Sequence, residues 1–259
     1  MVLEWFLRAK TDRKHPFTIF LFTLFATAVS LFISYFIFRS NIGLFTIVIT
    51  SLILVSFINS MFILEEKETE FDGLEKNFIK RHGDIISAFG AMFIGMTLAM
   101  SLVYIILPEE ISQTMFSEQI REINIIQGRF TFESQFFEIF TNNIGVLSIS
   151  FLLSFLIGTG AILVLSWNAS VLATAIGMVA KSLGGLHGLP VAIMTFLPHG
   201  VFEITAYFIG AIGGGLISAA VARKNSKFSL IFKDAIILFA IAVIMLIIGG
   251  IIETFLIMV

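Results

Sequence analysis

The chain has no cysteine, few charges and no excess of basic residues. Charged residues make up 13% of its 259 positions, where a soluble globular chain carries about 25%. Without cysteine, thiol redox chemistry and thiolate metal sites are excluded, and the compartment is left open. So little charge rules out an ordinary soluble enzyme, a disordered chain and a disulfide scaffold. A net charge of −2 provides no basic surface to hold a phosphate backbone, so nucleic acid is not a partner. What is present is apolar: 58% hydrophobic residues, thirty of them Phe, and a mean hydropathy of +1.01. The composition describes an all-α, polytopic transmembrane helical bundle, a single integral membrane domain over 1–259 with the lipid bilayer as its first partner.

About 20 apolar residues cross roughly 30 Å of hydrocarbon. Residues 17–38, 42–64, 85–107 and 235–257 qualify, the last with only Glu253 near its end. The uncharged stretch 139–180 is too long for one crossing. A break at Trp167-Asn168-Ala169-Ser170 predicts spans at 143–166 and 169–186, and another follows at 199–222. The count is seven, or six plus a re-entrant segment.

Lysine and arginine are retained on the cytoplasmic side and so set the orientation. Arg8, Lys10, Arg13 and Lys14 precede the first span. Lys67, Lys76, Lys80 and Arg81 lie in the 65–84 loop, and Arg223, Lys224, Lys227 and Lys233 in the 223–233 loop. Seven crossings put all three segments on one face, leaving Arg39, Arg121, Arg129 and Lys181 on the other. The expectation is a multi-pass cell-membrane protein with a cytoplasmic N-terminus and an extracytoplasmic C-terminus. The first span reads as a retained signal-anchor. The sequon at Asn168 falls at the inner face, where it would not be used.

Three non-spanning segments stand out. Residues 1–16 read as a cytoplasmic interfacial helix or a frayed tail. The charge-dense 65–84 loop reads as a solvated cytoplasmic helix, usually no more than a wet face. In 108–138, Ile111, Met115, Ile120, Ile123 and Ile126 recur at helical spacing among polar residues. That predicts an external amphipathic helix lying on the membrane, a second subunit or another protein.

Polar groups gather around 187–203 (HGLPVAIMTFLPHGVFE). The seven residues between Pro190 and Pro198 are too short to cross, so they form either a re-entrant piece or a connector at the outer interface. Pro198 suits a first helical turn, and His199 and Glu203, four apart, then share a face. A purely structural role is the plainer reading, with Glu203 stabilising a helix start through its dipole. The predicted topology sends Asn142, Asn143, Lys181, His187, His199 and Glu203 to one membrane face. With Pro198 and Gly200, these form the candidate partner-binding, ligand-binding or structural cluster. Glu138, Asn168 and Glu253 form a second tier. No resident metal or other cofactor is expected; the weaker alternative is zinc on His187, His199 and Glu203, whose spacing matches no strong signature. Gly210 and Gly214, with Ala206 and Ser218, form a small-residue stripe for close helix packing within the chain or in a homodimer. Gly145, Gly158 and Gly160, and Gly90 with Gly95, read the same way.

The stretches FFEIFTNN (136–143), Gly158-Thr159-Gly160, Trp167-Asn168-Ala169, Gly177 and Leu197-Pro198-His199-Gly200-Val201-Phe202-Glu203 together resemble the stage II sporulation protein M family. The resemblance covers about 130–257, within a family-like core of 139–257. One departure is Ala169, where the family has Gly. The resemblance implies a polytopic protein that anchors two peptidoglycan-degrading partners in spore formers and is not itself an enzyme. The expected function is therefore an integral membrane scaffold or partner-binding protein for other membrane or extracytoplasmic proteins. The alternatives are a transporter or channel using the Asn/His/Glu cluster, and an intramembrane metalloenzyme.

Overall fold

A computed structural model describes residues 14–38, 40–72, 78–129 and 135–258. Most of the expected interfacial segment, the middle of 65–84 and residues 130–134 lie outside these. Among the described residues there is no strand. The helices are α1 (Pro16–Ile37), α2 (Ile42–Asp72), α3 (Phe78–Ile106), α4 (Glu109–Met115), α5 (Ser117–Arg129), α6 (Gln135–Ile157), α7 (Ala161–Ser182), α8 (Leu189–Ala222) and α9 (Phe228–Met258). A 3-10 turn, Gly185–Gly188, leads into α8. Seven of the helices are long and apolar enough to cross a membrane, as the hydropathy pattern predicts. Phe17, Phe25, Phe32, Leu52 and Leu156 are each more than half exposed, which suits a lipid-facing surface and not a soluble monomer.

The seam between the fourth and fifth spans corrects the expected break at 167–170. The chain turns at Gly158-Thr159-Gly160, and Trp167–Ser170 lies inside α7. Gly158 takes φ +72, a left-handed conformation open to glycine. At Gly160 a Cβ would come within 2.6 Å of the Leu153 carbonyl oxygen. These glycines build a turn and not a packing stripe, and Gly145 has nothing within 4 Å of its Cβ position.

The stretch before His199 is also corrected. It is neither re-entrant nor a connector, because α8 runs unbroken from Leu189. Pro190 occupies the first turn, where a missing N–H costs nothing, and Pro198 lies inside the helix. The ring at 198 deprives the Met194 carbonyl of its usual donor.

The core is aromatic where the helices meet. Phe89 stacks with Phe62 on one side and tilts against Phe208 on the other, both at 5.9 Å between ring centroids. Gly210 and Gly214 are buried against α6, at Leu147 and at the Phe151–Phe155 backbone, so the predicted stripe serves intrachain packing. Gly95 receives α1 at the Phe20 carbonyl, whereas Gly90 only touches Phe208. Some buried hydroxyls tie helices together: the Ser101 hydroxyl is shared between Thr97 O of its own helix and Ala173 O across the interface at 3.1 Å, and Ser51 bonds Ser166 at 3.1 Å.

The segment α4–α5 packs one face on its own chain. Phe116 is fully buried edge-on to Tyr104, among Leu31, Ile42 and Met100 of the first three helices. Gln119 donates to Ser170 at 3.2 Å, in space that Gly43 leaves by having no side chain. Ile111, Gln113, Ser117, Arg121 and Asn124 are exposed.

Candidate functional site

Two polar nodes are built between helices, one toward each end of the bundle. The first joins α6, α8 and α9. On α8, His199, Glu203 and Tyr207 follow one another at intervals of four and share a face. Asn143 on α6 donates to Glu203 Oε1 at 2.6 Å, and the Tyr207 hydroxyl donates to Asn143 Oδ1 at 2.9 Å. From α9, Glu253 meets the pair: donor atoms of His199, Glu203 and Glu253 all lie within 4.8 Å of one another. Gly249, one turn before Glu253, makes this possible. A Cβ there would stand 2.9 Å from Glu203 Cγ and 3.3 Å from Phe202 Cβ, so the bare backbone lets α9 close on α8. At about 1.5 Å per residue, Asn143 and His199 lie roughly 12–15 Å from their helix starts.

The structure brings together Asn143, His199, Glu203 and Glu253, and separates the other candidates. Lys181 is drawn to α4, bonding Glu109 at 3.0 Å and Ser112 at 2.8 Å, with its ammonium 4.8 Å from the Tyr104 ring centre. The exposed Glu109 carboxyl is held below its usual range by Lys181 first and Gln113 second. His187 is exposed in the 3-10 turn, so the zinc set containing it is not assembled. Asn142 is exposed and reaches only Asn143, at 3.4 Å. Pro198 faces outward, and Gly200 lines an apolar groove of ≈ 430 Å³ with Phe93, Ile193 and Phe208. Asn168 bonds the Val164 carbonyl of its own helix. Glu138 lies half-buried on α6. Glu203 does not cap a helix start, since α8 begins at Leu189.

Tyr207 and Gly249 carried a signal in their four-residue spacing from Glu203 and Glu253, but polar type alone did not select them. The buried Tyr207 hydroxyl gives a direct test. Tyr207→Phe leaves Asn143 Oδ1 without its strong donor and should cost about 1–3 kcal/mol. In an Asn143→Ala background the cost should largely vanish, as read in a denaturation double-mutant cycle. Additive costs would mean the two side chains do not interact.

The second node corrects the solvated reading of 65–84 in part: Lys67, Glu68 and Asp84 are exposed, but other charged groups of the segment are not. Helix α2 continues to Asp72, and Glu65, Glu66, His82 and Asp234 are all buried. His82 Nδ1 bonds Glu65 Oε1 at 2.6 Å, while its Nε2 is 3.1 Å from Asp234 Oδ2. Arg81 pairs with Asp234 at 2.7 Å. In the α8–α9 turn, Arg223 pairs with Glu66, and Asn225 donates to Glu66 and to Glu70.

Residues 85–256 match the family model for Stage II sporulation protein M. The chain belongs to that family. No curated protein and no solved structure matches it. The match spans every residue of the first polar node, from Asn143 to Glu253. It also makes the seven-helix bundle that of a multi-pass membrane protein of the stage II sporulation protein M family.

Proposed function

We propose that this family member is a membrane scaffold that holds other membrane or extracytoplasmic proteins and performs no chemistry of its own. The supporting observation is the two-faced α4–α5 segment. One face is buried on the bundle through Phe116 and Gln119, while Gln113, Ser117, Arg121 and Asn124, with Ile120 and Ile125, line a shallow groove of mixed polarity on the other. A helix pinned by its inner face presents its outer face at little further entropic cost, which favours binding. The three basic segments belong inside by the charge rule. That orientation puts the N-terminus in the cytoplasm, and the C-terminus and α4–α5 outside.

The cysteine-free chain makes the test simple. In intact cells, a membrane-impermeant maleimide should label Ser117→Cys, and should label Ser226→Cys only after permeabilisation. A photo-crosslinking residue at Arg121 should trap discrete protein adducts in native membranes, and one at Lys224 should not. The reverse labelling pattern overturns the orientation. An Arg121 probe without a protein adduct overturns the docking role.

A further inference from the structure

We infer that His199, Glu203 and Glu253 form a binding site for one divalent transition-metal ion. The inference is independent of the scaffold reading and stands on the geometry of the three-helix node.

The donors are already gathered. Ligand atoms placed tetrahedrally on one zinc ion lie about 3.4 Å apart, given a bond of roughly 2.1 Å. The donor atoms here all lie within 4.8 Å of one another, so side-chain rotation alone, with no helix movement, would draw them onto one ion. The charges also call for a cation. Two carboxyl groups face each other inside apolar helices, and among the described residues no lysine or arginine forms an ion pair with either. A divalent ion would balance two ionised carboxylates, removing their like-charge repulsion at a half-buried site within the span. The imidazole carries an independent mark: His199 Nδ1 is buried and has no hydrogen-bond partner, an arrangement expected of a nitrogen held for a ligand.

The surrounding shell is of the kind that orients metal ligands. Asn143 fixes one oxygen of Glu203, and Tyr207 fixes Asn143 in turn. Both are buried. One imidazole and two carboxylates suit zinc or manganese better than calcium or magnesium, which prefer all-oxygen cages. Three protein ligands leave a coordination position for water or for a carboxylate or phosphate group of a partner.

The test uses the full chain, purified in detergent, stripped with a chelator and dialysed against Zn2+, with bound metal counted by mass spectrometry. One ion per chain is expected. Glu253→Gln, which leaves the Asn143–Glu203 bond in place, and His199→Ala should each weaken binding by about 10-fold or more, and Asn143→Ala by ~10–100-fold. His187→Ala, which alters an exposed histidine, should bind as the parent does. Zinc-edge X-ray absorption of the parent, which needs no variant to fold, should show a single imidazole with oxygen ligands. Substoichiometric zinc, unchanged affinity in both Glu253→Gln and His199→Ala, or a spectrum with two imidazoles would overturn the assignment.

Discussion

Replacing Asp234 with alanine is expected to destabilise the protein by about 3–5 kcal/mol, the range for breaking a buried ion pair by removing one partner. Asp234 is fully buried at the start of α9 and faces two groups on α3: Arg81 at 2.7 Å and His82 at 3.1 Å. Truncation removes a counter-ion but leaves both basic side chains where water cannot re-solvate them. The pair is not an exposed one, for which the typical value is about 0–1 kcal/mol. An exposed control, Lys224→Ala, should fall within ~0.5 kcal/mol of the parent. Denaturant titration of the purified protein would measure the difference. A loss below about 1 kcal/mol for Asp234→Ala would show that water reaches this node.

Gly214→Val is expected to have the second largest effect, at the upper end of the ~1–3 kcal/mol cost of overpacking. A Cβ on residue 214 would overlap the Phe151 carbonyl oxygen and stand 2.9 Å from the Phe155 nitrogen. Those obstacles are main chain, which cannot rotate away as a side-chain tip does, so α6 would have to retreat from α8. Such a retreat would also pull Asn143 away from Glu203, coupling packing at one depth of the bundle to the polar node at another. The informative contrast is Gly145→Ala on the facing helix, where nothing lies within 4 Å. There alanine should stabilise by up to ~1 kcal/mol through helix propensity. Thermal melts in detergent would rank the two. Equal behaviour would mean that α6 and α8 are not in tight contact.

The spans were legible because long uncharged runs have one economical fate in a bilayer, and two of the family-like motifs, FFEIFTNN and LPHGVFE, lie on helices that build the first node. What was not legible had physical causes. The turn at 158–160 was hidden because Gly-Thr-Gly reads equally well as a packing stripe, while Trp-Asn-Ala-Ser looks more polar than its helical setting requires. Pro198 suggested a helix start because a proline rule fits either of two prolines eight residues apart. Among the candidates that went elsewhere, His187 lies before the start of α8, about 21 Å along the helix axis from Glu203 at ~1.5 Å per residue, and Lys181 is drawn to Glu109 of α4; a helix beginning at Pro198 instead of Leu189 would have placed them together. The Glu65–His82–Asp234 node escaped because a charge-dense segment has the same composition whether water or an oppositely charged neighbour solvates it.

That second node has a consequence for where the folding unit ends. The family match begins at residue 85, yet the groups that satisfy Asp234 and Arg223 are Arg81, His82 and Glu66, all upstream of that limit. A fragment trimmed to the matched region would keep two charged side chains and lose every ion-pair partner they have here. The segment most recognisable by descent is thus smaller than the segment that can stand alone, and the N-terminal helices serve as its electrostatic counterpart.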